Sequence, residues 1–229
     1  MNPVFCAIDT ATLTHAEALA DKVGPHVGGL KLGLEFFMVH GVAGYRVIAA
    51  KGKPIFLDLK LHDIPNTVAG AIGSLLPLQP EFLTLHTSGG AEMMQAASTA
   101  AAKAGAARPK LLGVTVLTSL DNNDLASVGQ EADTTRQVVR LAALAKESGL
   151  DGVICSPQEI VPLRATLGPD FILMVPGIRP DWASSNDQKR TLTPREAQDA
   201  GADYLVIGRP ITKAENPADA ARRIADELA

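Results

Sequence analysis

A chain of 229 residues that is 46% hydrophobic, 4% aromatic and 20% charged can bury a sizeable core and has the composition of an ordinary folded protein. Its formal net charge of −4, with no run of like charges, excludes an extended basic surface for nucleic acid. The start MNPVFCAIDT lacks a basic region ahead of an apolar run, and no stretch reaches the roughly 18 apolar residues of a membrane span. A cytoplasmic protein without a membrane partner is expected. The two cysteines, Cys6 and Cys155, sit in apolar runs far apart in sequence, which suits small core residues rather than a disulfide framework or a zinc site.

In chain order, short aliphatic or β-branched runs alternate with alanine-rich stretches of helical spacing. Strands are predicted at Val4–Asp9, Gly29–Gly33, Pro54–Lys60, Phe82–His86, Leu111–Leu117, Gly152–Cys155, Phe171–Val175 and Tyr204–Gly208. Helices are predicted at His15–Val23, Val68–Leu76, Ala91–Ala104, Thr134–Ser148, Pro157–Leu167, Pro194–Ala200 and Pro217–Leu228. Alanine, leucine, glutamate and lysine favour most of these, and the prolines at 157, 194 and 217 suit a first turn. The stretch Leu34–Ala50 is the hardest to assign, because Gly41 and Gly44 interrupt it. Eight strand-helix units over residues 1–229 predict one α/β domain, a (β/α)8 TIM barrel near the small end of its size range. An open doubly wound sheet would be expected to carry a glycine-rich phosphate loop after its first strand. Here that loop reads Asp9-Thr10-Ala11-Thr12, and neither GxGxxG nor GxxxxGK[ST] occurs.

The third strand runs into the stretch FLDLKLHDIPNT, Phe56–Thr67. Asp58 and Lys60 are two apart, so both leave one face of the strand while Leu57, Leu59 and Leu61 leave the other. Alone the pattern decides little, since D-x-K-x-x-D arises by chance in roughly one chain in twenty of this length. Asp63, just ahead of Ile64-Pro65, could equally cap the next helix. Other strand ends add weight: Asp9 ends the first strand, Lys31 lies on the second, Thr118 follows the fifth and Arg209 follows Gly208 on the eighth. Carboxylates beside a lysine favour its ammonium form, which suits a proton donor better than an amine nucleophile. Gly208-Arg209 joins a glycine that permits close approach to an arginine able to grip phosphate, at the usual phosphate site of this fold. The seventh loop, PGIRPDWASSNDQKR, carries Arg179 and Gln188 and is long enough for a lid. The five histidines lack metal-ligand spacing, and His62 and His86, near the barrel mouth, are expected in the core or behind the site.

With FLDLKLHDIPNT, LHTSGG at Leu85–Gly90, VPGIRP at Val175–Pro180 and VIGRPIT at Val206–Thr212, the chain resembles the orotidine 5'-phosphate decarboxylases from Asp9 to Arg209. Those enzymes form uridine 5'-phosphate and carbon dioxide in pyrimidine biosynthesis without metal or organic cofactor. The resemblance implies that Lys60 protonates the carbon that loses carbon dioxide, that Asp58 lies against the substrate carboxylate, and that Lys31 is the second lysine of the array. It implies a homodimer in which Asp63, with Ile64 and Thr67, completes the partner's site. It further implies that Asp9 binds ribose, Thr118 lies near the pyrimidine, and Gln188, Arg179, Gly208 and Arg209 hold phosphate under the closed loop.

Two other readings compete. Related sugar-phosphate decarboxylases and aldol-type synthases share the D-x-K-x-x-D strand but use magnesium, and carry a carboxylate where this chain has Lys31; a cation there would repel the metal. A barrel that only binds a nucleotide, or serves as an oligomeric scaffold, would have no use for a lysine set beside two carboxylates.

Overall fold

The computed structural model describes residues 2–183 and 191–229. Among them the strands are β1 (Val4–Ala7), β2 (Gly29–Gly33), β3 (Ile55–Leu61), β4 (Phe82–His86), β5 (Lys110–Val114), β6 (Gly152–Ile154), β7 (Ile172–Pro176) and β8 (Tyr204–Ile207). All neighbours run parallel in chain order, and β8 returns to pair with β1, which closes the barrel and rules out the open sheet. The connections carry α1 (Leu13–Val23), α2 (Leu34–Ala49), α3 (Pro65–Leu75), α4 (Gly90–Ala102), α5 (Asn122–Ser127) and α6 (Thr134–Glu147). They continue with α7 (Ile160–Leu167), α8 (Pro194–Asp199), α9 (Arg209–Thr212) and α10 (Pro217–Leu228).

Strand alternation sorts the side chains into two layers. Phe5, Ala7, Phe56, Phe82, Leu112, Met174 and Val206 point into the barrel and pack on one another. The aromatic members meet edge to face, with Phe5 and Phe82 centroids 5.4 Å apart and Phe82 and Tyr204 5.0 Å apart, the geometry ring quadrupoles favour. A Cβ at Gly29 would stand 2.1 Å from the Phe5 ring, so the plug requires glycine there. Alternate residues such as Leu30, Leu57, Leu83 and Leu205 join Ile48, Ile72, Ala97 and Ile224 of the helices in the outer core. Burying each such aliphatic side chain contributes about 1.5–3 kcal/mol. The plug fills one end of the barrel and leaves the ends of the strands that carry polar residues open above it.

Several boundaries differ from expectation for local reasons. β5 ends at Val114 rather than Leu117, because Thr115 Oγ1 donates to the Ile154 carbonyl (3.1 Å) where a further ladder bond would form. The helix expected from Pro157 begins as a 3-10 turn, Pro157–Glu159, inside a capping box between Ser156 and Glu159, and α7 starts at Ile160. Gly41 does break α2, with φ 53° and ψ −147°, but Gly44 remains helical and buried, close to the Phe36 ring. Prolines open α3, α8, α9 and α10 at the first turn, and Asn216 caps α10 through the Ala218 and Asp219 amides. The short helices α5 and α9 were not anticipated from the sequence.

Candidate active site

Above the aromatic plug lies a cavity of about 310 Å³ whose lining includes Asp9, Lys31, Asp58, Lys60, Thr118, Arg179, Gly208 and Arg209. These residues come from six strand ends or following loops, those of β1, β2, β3, β5, β7 and β8. The apolar floor comes from Ala7, Phe56, Val114, Ile154 and Val206, so charge is stacked directly on a low-dielectric base.

The charged groups alternate in sign. Lys31 Nζ lies 3.0 Å from Asp9 Oδ1 and 3.8 Å from Asp58 Oδ2. Lys60 Nζ donates to the same Asp58 Oδ2 at 2.7 Å. Lys31 and Asp58 are buried, whereas the Asp9 side chain is 57% exposed at the rim. Gly33 makes room for this order, because a Cβ there would come within 3.0 Å of Lys31 Nζ. The arrangement is a line of acid, base, acid, base, with Lys31 on β2, Asp58 and Lys60 on β3, and Asp9 two residues beyond β1 rather than at its end as expected.

β3 does not remain regular through this line. Its register with β4 passes from Leu57 opposite Leu83 to Leu61 opposite Leu85, so four steps on one strand match two on the other. Within the bulge Lys60 takes φ 49°, a left-handed conformation uncommon for a residue with a Cβ. Its amide donates to Thr84 Oγ1 at 2.9 Å, and Thr84 Oγ1 in turn donates to Asp58 Oδ1 at 2.9 Å. Sequence reasoning missed Thr84. The signal was present, since this hydroxyl sits in the run Phe82-Leu83-Thr84-Leu85-His86 on the same strand face as Phe82, which is turned into the barrel.

Asp63 stands apart from the cavity lining of its own chain and is exposed, as are Ile64, at 67%, and Thr67. Nor does Asp63 cap α3: Ile64 occupies the N-cap position, without a side-chain acceptor, and Asp63 Oδ1 accepts from the Ile64 amide at 2.6 Å. Pro65 explains the offset, because the residue before a proline is driven to extended backbone and Ile64 has ψ 154°. Thr118 lies four residues beyond β5 rather than directly after it, on an exposed segment at the cavity edge. Arg179 is buried against the cavity, and its amide donates to the Leu192 carbonyl, joining the two described ends of the seventh loop. Trp182 further anchors that loop: its Nε1 donates to Glu227 Oε1 at 2.8 Å and Arg223 lies over its ring. Gln188 lies outside the described residues.

His86 is half-buried and its ring stands 5.2 Å from that of His62, which is exposed rather than in the core. Burial lowers the His86 pKa, and the neighbouring His62 and Lys60 charges lower it further. Cys6 and Cys155 are buried core thiols; burial pushes Cys6 up to about 12 and Cys155 well above its ordinary value, so neither is a nucleophile at neutral pH. Among the described residues no group of three or more His, Cys, Asp and Glu side chains is placed to hold a metal ion, and no helix is long and apolar enough to cross a membrane.

Comparison with known proteins agrees with this geometry. The sequence model of the Orotidine 5'-phosphate decarboxylase / HUMPS family matches residues 2–224. A Rhodospirillum rubrum protein named orotidine 5'-phosphate decarboxylase is 53% identical over 232 residues, covering 99% of this chain and 94% of that protein. A protein of the same name from Paramagnetospirillum magneticum is also 53% identical, over 100% of this chain and 99% of that one. The crystal structure of orotidine 5'-phosphate decarboxylase from Lactobacillus acidophilus superposes with a TM-score of 0.89 at 37% identity, covering 100% of this chain and 99% of that one. A full-length match of sequence and of barrel, with the charged strand ends in place, means that the chain belongs to the orotidine 5'-phosphate decarboxylase / HUMPS family.

Proposed function

We propose that the protein decarboxylates orotidine 5'-phosphate to uridine 5'-phosphate and carbon dioxide, a step of pyrimidine biosynthesis. The observation that carries the reading is the alternating line Asp9, Lys31, Asp58, Lys60 at the cavity wall. The substrate carboxylate would lie against Asp58, with its ring carbon facing Lys60. As the bond to carbon dioxide breaks, the electron pair stays on that carbon, where no adjacent carbonyl can delocalise it. Preorganised positive charge must stabilise it instead, and Lys60 Nζ, held at 2.7 Å by Asp58, is the group in position. Lys60 then gives a proton to the carbon and regains one from solvent. Crowding of the departing carboxylate by Asp58 would raise the ground state.

Arg209, Arg179 and Gly208 face the same cavity from the seventh and eighth strand ends and suit the phosphate; the family resemblance adds Gln188, which lies outside the described residues. Asp9, at the exposed rim, suits the ribose hydroxyls, and Thr118 the pyrimidine edge. Remote binding of this kind supplies part of the roughly 8–23 kcal/mol by which enzymes lower barriers. Asp63, Ile64 and Thr67 are exposed and away from their own cavity, which supports a homodimer in which they complete the partner's site. A magnesium-dependent reaction is disfavoured by Lys31, since a divalent ion between Asp9 and Asp58 would meet its ammonium. The test is the ultraviolet loss of orotidine 5'-phosphate with and without chelator. Turnover unchanged by EDTA is expected; loss with recovery on adding magnesium would favour the metal-dependent relatives.

A further inference from the structure

We propose that Thr84 is a positioning residue for this reaction, acting through Asp58 and the Lys60 backbone; the inference rests on the decarboxylase reading above. Three observations lead to it. Thr84 is fully buried on β4, with its hydroxyl turned into the barrel below the charged line. That hydroxyl makes two contacts of 2.9 Å, accepting from the Lys60 amide and donating to Asp58 Oδ1. The bulge that gives Lys60 its left-handed backbone also takes the Lys60 amide out of the β3–β4 ladder.

The chemistry of a hydroxyl leaves no freedom in this arrangement. It has one hydrogen to give, and an ionised carboxylate can only accept, so the hydrogen goes to Asp58 and a lone pair faces the Lys60 N–H. Asp58 is thereby held by opposite edges: Oδ1 belongs to Thr84, while Oδ2 faces Lys60 at 2.7 Å and Lys31 at 3.8 Å. Rotation of the carboxylate would trade its lysine contacts against the hydroxyl, and Thr84 opposes that rotation. The same atom accepts from the partly buried Lys60 amide, which the bulge has taken out of the ladder, so it also stabilises the strained turn that aims the lysine. One side chain on β4 thus sets the relative placement of the two groups on β3 that act on the reacting carbon. Displacement of a reacting group by about 1 Å can cost about a hundredfold in rate.

The test compares Thr84→Val, which keeps the shape and removes the hydroxyl, with Thr84→Ser, which keeps the hydroxyl. With orotidine 5'-phosphate, Thr84→Val is expected to lower kcat by about 10–100-fold. Its KM should stay within about threefold, because phosphate and ribose are gripped elsewhere. Thr84→Ser should recover kcat to within about threefold of the parent. Measurements are made where circular dichroism shows each protein folded; if Thr84→Val does not fold, Thr84→Ala against Thr84→Ser gives the same contrast. A hydroxyl-free variant with kcat within about threefold of the parent, or a serine variant as impaired as the valine one, would overturn the proposal. A parent protein with no turnover would remove the decarboxylase reading and this inference together, whereas an active parent with indifferent variants would remove this inference alone.

Discussion

Replacing Asp63 by alanine in one preparation and Lys60 by alanine in another should give two inactive proteins whose mixture is active. The structure sets the size of each effect. Asp63 is exposed and accepts a hydrogen bond from the adjacent Ile64 amide, and it is not the cap of α3. Surface changes of that kind shift stability by no more than about 0.5 kcal/mol, which for a chain of this length is under about 2 °C in Tm. Loss of a true cap would cost about 0.5–2 kcal/mol, or up to about 8 °C. A variant with an unchanged Tm and no turnover therefore points to a role outside its own fold. If that role lies in the partner's site, a heterodimer holds one site with intact Lys60 from one chain and intact Asp63 from the other. Random exchange of equal amounts yields half heterodimers, each with one sound site of two, so recovery should approach about a quarter of the parent rate by two-fold symmetry. The assay is ultraviolet loss of orotidine 5'-phosphate after subunit exchange, with heterodimers counted by native mass spectrometry. Heterodimers without recovery would refute the shared site and return Asp63 to its own chain.

Lys60→Ala should reduce kcat by at least about a thousandfold with little change in Tm, since the side chain is partly exposed and no core volume is lost; turnover within tenfold of the parent would remove Lys60 as the proton donor. Arg209→Ala should raise KM for the phosphorylated substrate by about 10–150-fold, the loss of a charged hydrogen bond of about 1.5–3 kcal/mol, and leave the slow reaction of orotidine itself almost unchanged; equal sensitivity of the two substrates would make Arg209 structural. His86, held below the usual imidazole range chiefly by burial, resists protonation in the fold. The unfolded chain therefore takes up that proton first as pH falls through about 6.5, and stability declines below that pH. Urea midpoints between about pH 7.5 and about 5.5 should fall more steeply for the parent than for His86→Asn, and parallel curves would refute the assignment.

Much of this was legible in the residues because it depends on near neighbours in the chain. Alternation along Gly29–Gly33 and Phe82–His86 gave those two strands their observed bounds, and proline at 194 and 217 marked helix starts. Two-residue spacing put Asp58 and Lys60 on one face, and the polar ends of successive strands pointed to one mouth. Family motifs then supplied a chemistry that spacing alone left open. What the sequence withheld depends on register between strands. Lys31 meets Asp9 across 22 positions, and Thr84 meets Asp58 across 26. The left-handed turn at Lys60 follows from a mismatch of two strands that neither strand shows by itself. The expected alternatives for Asp63 narrowed only when Pro65 was seen to shift the cap to Ile64. A pleat's period is written into consecutive residues, but which hydroxyl faces which carboxylate is decided by how eight strands stagger as they close, and only the assembled barrel contains that information.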